Sequence, residues 1–355
     1  MTLAYGVRPD GGVCAVLGDT LVDLSGLDPV FDAPSLNAFM AAGPEVWRQA
    51  RERVAEGVEL PAAGEPAEAL LGMPFEVADY VDFYSSLHHA TNLGRMFRPD
   101  ADPLLPNWRH LPVGYHGRAG TVVPSGTPVR RPSGQSPGGE FGPSARLDIE
   151  LELGFVIGTP TTMGEPVPVE RALDHVFGMV LVNDWSARDI QAWEYQPLGP
   201  FLGKSFATSI SRRVVPLGEL LDRRVPNEPQ EPGPLPYLAE EPWAFDIPLE
   251  VELNGAVIAR TNTRHLYWSI AQQIAHLTVN GASLRTGDLL ATGTISGPER
   301  EERGSLIELS WNGEEPIELP DGSTRTFLED GDDVVLRGEP LGEVRGRIEP
   351  APQSP

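Results

Sequence analysis

The chain has 355 residues and a formal net charge of −24, with 27 Lys and Arg against 51 Asp and Glu. That balance excludes the usual nucleic-acid binder, which needs clustered bases to displace counterions from phosphate. The single cysteine, Cys14, excludes intramolecular disulfides and multi-cysteine metal sites and reads as a small core residue.

No apolar run approaches the ~20 residues of a membrane span, and MTLAYGVRPDGG lacks the basic and apolar parts of a signal peptide. The expectation is a soluble, cytoplasmic protein without a membrane or nucleic-acid partner. The 38 Gly and 36 Pro are spread without period among short β-branched segments, which implies many turns between many strands and a mainly β fold.

The chain begins with LAYGVR, a PDGG turn, VCAVLG and DTLVDLSGL, a pattern that predicts a small hairpin-rich sheet. SLNAFMAAGPEVWRQARERVAEGV has helical spacing, with Ser35 as N-cap and Gly43-Pro44 dividing it in two. The Pro- and Ala-rich PAAGEPAEALLGMPFE has little periodicity and marks a boundary between domains 1–74 and 75–355. VADYVDFYSS then reads as a strand, RPDADPLLPNWRHLPVGYHGRAG as loop, and TVVPSGTPVRRP and LDIELELGFVIGTP as strands. A helix near 169–178 precedes GMVLVNDWSARD, an apolar strand that ends in a polar cluster. WAFDIPLEVELNGAVIAR, SLIELSW and DDVVLRGE are read as further strands, interrupted by a helix over 267–277.

On a strand, LDIELELG turns Leu147, Ile149, Leu151 and Leu153 one way and Asp148, Glu150 and Glu152 the other. Three acids on one face are either washed by water or gathered around a cation, because burying an uncompensated carboxylate is costly. A hard cation takes oxygen ligands from several segments, and Asp82, Glu150, Glu152 and Asp184 are the candidates. His88 and His89 offer a general base near neutral pH. NDWSARDIQAWEYQPLGPFLGKSF brings Arg188 and Lys204, suited to an oxyanion or enolate, together with Gln191 and Tyr195. A phosphate-binding GxxxxGK[ST] loop and HExxH are both absent from the sequence.

DFYSSLHHATNLGRMFR, LPNWRHLPVGYHGRAGTVVPSGTPVRRP, LDIELELGFVIG, GMVLVNDWSARDIQAWEYQPLGPFLGKSF and ATGTISGPE together closely resemble the fumarylacetoacetase family. The resemblance runs from about residue 4 to about residue 336, and 337–355 match only loosely. It implies a small N-terminal SH3-like barrel domain, a larger C-terminal β-roll catalytic domain and a homodimer. It further implies hydrolysis of the carbon–carbon bond of a small diketo acid, 4-fumarylacetoacetate, with Ca²⁺ and/or Mg²⁺ as cofactor.

Carried over by residue, the resemblance makes Asp82, Glu150, Glu152 and Asp184 calcium ligands and associates Lys204 and Thr208 with magnesium. His89 becomes the proton acceptor, oriented by Glu308. Tyr84, Arg98, Gln191, Tyr195 and Thr294 match substrate-binding positions, and Tyr115 and Arg188 match further polar contacts, with Tyr84, Arg98 and Tyr115 expected on a substrate carboxylate. The resemblance assigns no metal to Asp148, which is left as a solvent-facing acid. Two other readings stay open, a related acylpyruvase or decarboxylase, and a non-catalytic β-rich protein with a structural calcium.

Overall fold

The strand Val176–Asp184 shows how the interior is sorted. Met179 and Leu181 enter one hydrophobic cluster while Val180 and Val182 enter another, as the two-residue period of a strand requires when both faces are covered. The same alternation places Leu147, Ile149, Leu151 and Leu153 in the first cluster, as LDIELELG predicts. The computed structural model describes residues 2–60 and 67–352, and over these the chain is mainly β. Residues 61–66 of the expected boundary segment lie outside the described residues.

A large sheet organises the molecule. Its N-terminal strands Val58–Leu60, Thr20–Asp23, Val13–Leu17 and Leu3–Val7 pair in that order, and Leu3–Val7 continues onto Arg213–Pro216. From there the sheet runs through Val176–Asp184, Leu151–Ile157, Leu289–Ala291, Tyr80–Phe83 and Gly114–His116, with Thr208–Ile210 branching from Val176–Asp184. The predicted N-terminal hairpins are thus an extension of the central sheet.

A second, five-stranded sheet orders Ala256–Asn262, Pro248–Leu253, Asp333–Gly338, Gly342–Glu349 and Val129–Arg130. The first hydrophobic cluster draws Leu151, Leu153, Phe155 and Leu181 from the large sheet and Leu249, Val251, Leu336 and Val344 from the second. The loosely matching tail therefore contributes a core strand, since Gly342–Glu349 pairs along its length with Asp333–Gly338.

Helices cover what the sheets leave open. Helices α1 (Asn37–Ala41) and α2 (Pro44–Arg53) are separated by Gly43 at φ 86°, as the Gly-Pro break predicts, although the N-cap of α1 is Leu36 and not Ser35. Phe39 and Trp47 of these helices meet Phe177 edge-on at 5.4 and 5.1 Å, closing the second cluster over the other face of the large sheet. Helix α3 (Leu87–Phe97) follows Tyr80–Phe83 directly, and α4 (Arg188–Glu194) follows Val176–Asp184 after one short bridge strand.

Helix α5 (Ile270–Thr278) starts from a Ser269–Gln272 capping box, close to the predicted span. Helix α6 (Leu306–Leu309) is a single turn. No helix among the described residues is long and apolar enough to cross a membrane.

Two expected elements differ from the sequence reading, and one helix was not expected. SLIELSW forms the α6 turn and not a strand, because buried acceptors from another segment take up its first amides. The 169–178 stretch is a 3-10 helix over Val169–His175, after which the chain is already in the central strand. Helix α3 fills the span between the expected strand, which ends at residue 86, and the expected loop, which begins at 98, its start fixed by the Ser86 side chain accepting from His89 N at 3.3 Å.

Candidate active site

Sheet order explains why distant acids meet. Glu152 stands opposite Val182, so it shares a face with Val182 and, two residues on, with Asp184. Asp82 is paired with Ala291, and Ala291 with Gly154, which puts Asp82 on that same face. Glu150 joins them just before its strand begins, held by Asn183 Oδ1 accepting from its backbone N at 3.1 Å. Carboxylate oxygens of Asp82, Glu150, Glu152 and Asp184 all lie within 4.8 Å of one another, and all four residues are buried.

The cluster is only partly neutralised by the protein. Lys204 Nζ donates to Asp184 Oδ2 at 2.8 Å and forms a shorter contact with Glu150 Oε2. Thr208 Oγ1 and Tyr115 Oη donate to Asp184 at 2.7 and 2.9 Å. Glu152 Oε2 accepts from Gly293 N at 3.1 Å, an approach that needs glycine: φ is +77° and an added Cβ would lie 2.3 Å from the Phe83 carbonyl oxygen.

That leaves Asp82 Oδ1 and Glu152 Oε1 buried with no donor among the described residues. Burial, followed by the repulsion of neighbouring carboxylates, pushes Asp82 and Glu152 well above the usual carboxylate range. For Glu150 burial acts the same way, but Lys204 and Arg188 overcome it and hold its pKa below the ordinary value. Two orphaned oxygens and two carboxylates that resist ionising fit a divalent cation with oxygen ligands.

Lys204 is not one of its ligands through the side chain. Burial disfavours its ammonium, yet Asp184 and Glu150 outweigh burial and raise its pKa above the usual lysine value. An ammonium has three donors and no lone pair, so it supplies charge and not a ligand atom. The Thr208 hydroxyl, likewise expected near a metal, spends its proton on Asp184.

Beside the acids stands a histidine with its own carboxylate. His89 Nδ1 lies 2.6 Å from Glu308 Oε2 across a separation of 219 residues, and both side chains are buried. Glu308 also accepts from Asn92 Nδ2 at 2.9 Å, Ser296 Oγ at 2.8 Å and Ser305 Oγ at 2.7 Å. Against the desolvation that would raise it, His89 and these hydrogen bonds bring the Glu308 pKa down to about 2. A carboxylate on Nδ1 fixes the tautomer with Nδ1–H and leaves Nε2 for proton transfer. The imidazole lies close enough to Glu150 that a proton gained on it would favour the ionised carboxylate.

The remaining expected residues divide into three groups. Arg188, Arg98 and Thr294 each carry a buried polar atom with no partner among the described residues, namely Nη2, Nε and Oγ1, and so retain hydrogen-bonding capacity for a ligand. Tyr84 packs edge-on against His89 at 5.2 Å, and its hydroxyl lies in the field of Glu308, Glu150, Arg188 and Arg98. Gln191 Oε1 accepts from Arg188 Nη1 at 3.2 Å. Tyr195 stands apart: it is 46% exposed, and its hydroxyl meets Gln196 Nε2 at 2.9 Å.

Tyr115 differs from its expected use. Its one proton is already given to Asp184, so in this arrangement it cannot also donate to a substrate carboxylate.

Asp148 reverses its expectation outright. It is fully buried and ion-paired with Arg188 at 2.8 Å, and its strand ends there, the ladder resuming only at Leu151. Asn92, Ser296, Ser305 and Tyr80 were also missed. Asn92 lies three residues after His89 on α3 and shares its helix face, a signal that recognition of the helix would have supplied. Tyr80 shares Asp82's strand face, and its hydroxyl is raised by burial and then by Asp184, Asp82 and Glu152.

The fold is mainly β, and its site sets a buried histidine–carboxylate pair beside a cluster of four carboxylates that could hold a divalent cation. Residues 8–71 match the family described as Fumarylacetoacetase N-terminal, and residues 79–349 the one described as Fumarylacetoacetate (FAA) hydrolase C-terminal. The chain is 47% identical over 399 aligned residues to the fumarylacetoacetase of Rattus norvegicus, covering 98% of this chain and 95% of that protein. It is 44% identical over 404 residues to that of Arabidopsis thaliana, covering 99% and 95%. A solved fumarylacetoacetate hydrolase from Exiguobacterium antarcticum superposes with TM-score 0.64 at 18% identity, over 99% of this chain and 100% of that one, and so shares the fold. The chain belongs to the fumarylacetoacetase family and is a hydrolase.

Proposed function

We propose that the protein hydrolyses the carbon–carbon bond of 4-fumarylacetoacetate to fumarate and acetoacetate, the last step of tyrosine and phenylalanine breakdown. One observation carries the reading: a buried His89–Glu308 pair at 2.6 Å beside four converging carboxylates, in a chain 44–47% identical to whole fumarylacetoacetases. Asp82, Glu150, Glu152 and Asp184 would hold a divalent cation, Ca²⁺ or Mg²⁺, which would supply Lewis-acid polarisation of the substrate carbonyl.

The chain's own groups perform the proton and charge work. Glu308 holds Nδ1–H, and Nε2 of His89 takes a proton from water as the oxygen adds to the carbonyl carbon. Collapse of the tetrahedral adduct breaks the carbon–carbon bond, and the acetoacetate carbanion, delocalised as its enolate, receives the proton back. Arg188 Nη2, the Gln191 amide and the Lys204 ammonium stabilise negative charge developing on oxygen, contacts of this kind each being worth about 3 kcal/mol of barrier. Arg98, with Tyr84, takes the substrate carboxylate through charge-assisted hydrogen bonds. Thr294 Oγ1 and Tyr195 complete the pocket, Tyr195 from its exposed rim.

The same reading makes the protein a cytoplasmic homodimer acting on a small diketo acid. It gives an SH3-like barrel domain over 1–74 and a β-roll catalytic domain over 75–355, supported by family matches that end at residue 71 and resume at 79.

Turnover of fumarylacetoacetate and of acylpyruvates by one preparation tests the substrate. The expected result is equal yields of fumarate and acetoacetate, with kcat/KM for fumarylacetoacetate higher by about 10²-fold or more. A preference for acylpyruvates would assign the chain to a related activity instead.

A further inference from the structure

The Asp148 carboxylate is fully buried and accepts four hydrogen bonds. Oδ2 accepts from Arg188 Nε at 2.8 Å and from Ile307 N at 3.1 Å. Oδ1 accepts from Leu306 N at 2.7 Å and from Ile149 N at 2.8 Å. The donors belong to separate parts of the site, because Arg188 opens α4 while Leu306 and Ile307 open α6.

Each side of this junction leads to a group with a role in the reaction. Arg188 Nη1 reaches Glu150 Oε1 at 2.8 Å and Gln191 Oε1 at 3.2 Å, and Nη2 is left free for a ligand among the described residues. On the other side, Glu308 follows Ile307 directly and holds His89. The first amides of a helical turn need outside acceptors. Ser305, at the N-cap of α6, makes no capping bond and gives its hydroxyl to Glu308 instead. Asp148 supplies the missing acceptors.

We propose that Asp148 is a positioning residue that ties Arg188 to the first turn of α6 and thereby sets Glu308 and His89 in register with the donors facing the substrate. The proposal rests on the reading of His89 and Glu308 as the base pair. An amide cannot replace the carboxylate: Asn has one acceptor oxygen, and its NH₂ would face either Arg188 or the α6 amides. Either Arg188 would be left to Glu150 and Gln191, or the α6 turn would lose part of its anchorage. Misplacement of catalytic groups by ~1 Å costs about 10²-fold in rate.

The test is Asp148→Asn, with folding checked by thermal melting and metal content by elemental analysis. The expected result is a fall in kcat of about 10²-fold with KM changed by less than about threefold, since orientation and not uniform binding is lost. Unchanged kcat, or a loss expressed only in KM, overturns the proposal. In a Glu308→Gln background the same substitution is expected to cost less than about fivefold, because the two act through one unit. A repeat of the full loss in that background contradicts the tie.

Should Asp148→Asn not fold, hydrogen exchange of residues 305–309 in Arg188→Lys decides the matter. Faster exchange there, with α5 unchanged, supports the link through Asp148, and unaltered exchange sinks it. His89→Ala separates this proposal from its premise. Retained turnover in His89→Ala overturns the base assignment and the tie together, whereas lost turnover beside a wild-type-like Asp148→Asn overturns the tie alone.

Discussion

His89→Ala is expected to lower kcat by about 10³-fold in a protein that still folds and still holds its metal. The reason lies in how little else depends on the ring. Glu308 keeps three donors after the imidazole is gone, from Asn92, Ser296 and Ser305, so the variant does not strand a buried charge. What it loses is the imidazole nitrogen held beside the carboxylate cluster. Held at about 2, Glu308 stays ionised through the working pH range, so acid inactivation above that value is not its own titration. Steady-state kinetics on the folded, metal-loaded variant provide the check, and near-normal kcat would remove His89 from the mechanism.

The second large effect concerns the cation. Asp184→Ala is expected to be purified without metal and without turnover, because Asp184 is both a member of the carboxylate quartet and the acceptor for Thr208, Tyr115 and Lys204. Its loss removes a ligand and lets the Lys204 ammonium settle on Glu150 alone, where it competes for the same oxygen. Full occupancy by elemental analysis would refute the ligand set.

The pH dependence of the wild type follows from the same groups. Asp82 and Glu152 are raised, so without a cation they take up protons in the fold at pH values where free carboxylates are charged. Their contribution to stability of the metal-free fold is full below the ordinary carboxylate pKa and is lost as pH rises through their raised values. Cation binding must expel those protons, so metal retention is expected to grow as dialysis pH is raised from about 5 to about 8. Equal retention across that span would mean that these two carboxylates are not displaced by the ion.

Much of this was legible in local pattern. Alternation in LDIELELG separated Leu147, Ile149, Leu151 and Leu153, all in the core, from Asp148, Glu150 and Glu152, although the strand is interrupted at Ile149 and Glu150. The N-terminal hairpins, the Gly43-Pro44 break and the strands around Asp82 and Asp184 also follow from turn residues and apolar runs.

What local pattern missed was set by partners far along the chain. IELSW alternates like a strand, yet Asp148, 158 residues before Leu306, caps the segment's start as a helical turn. Asp148 itself was misread because only the fold brings Arg188 and two α6 amides to it, turning a like-charge liability into a four-donor site. Helix α3 was hidden because its start depends on one Ser86 cap, and with it went the shared face of His89 and Asn92.

Cation-dependent hydrolysis of fumarylacetoacetate at the His89 and carboxylate site joins these expectations. The most direct measurement follows the loss of diketone absorbance with purified protein as isolated, after chelation, and after readdition of Ca²⁺ or Mg²⁺. The prediction is rapid loss, then near-complete arrest, then recovery with one or both ions. Undiminished turnover by protein shown to be metal-free, or no loss of the diketone at any stage, would contradict it.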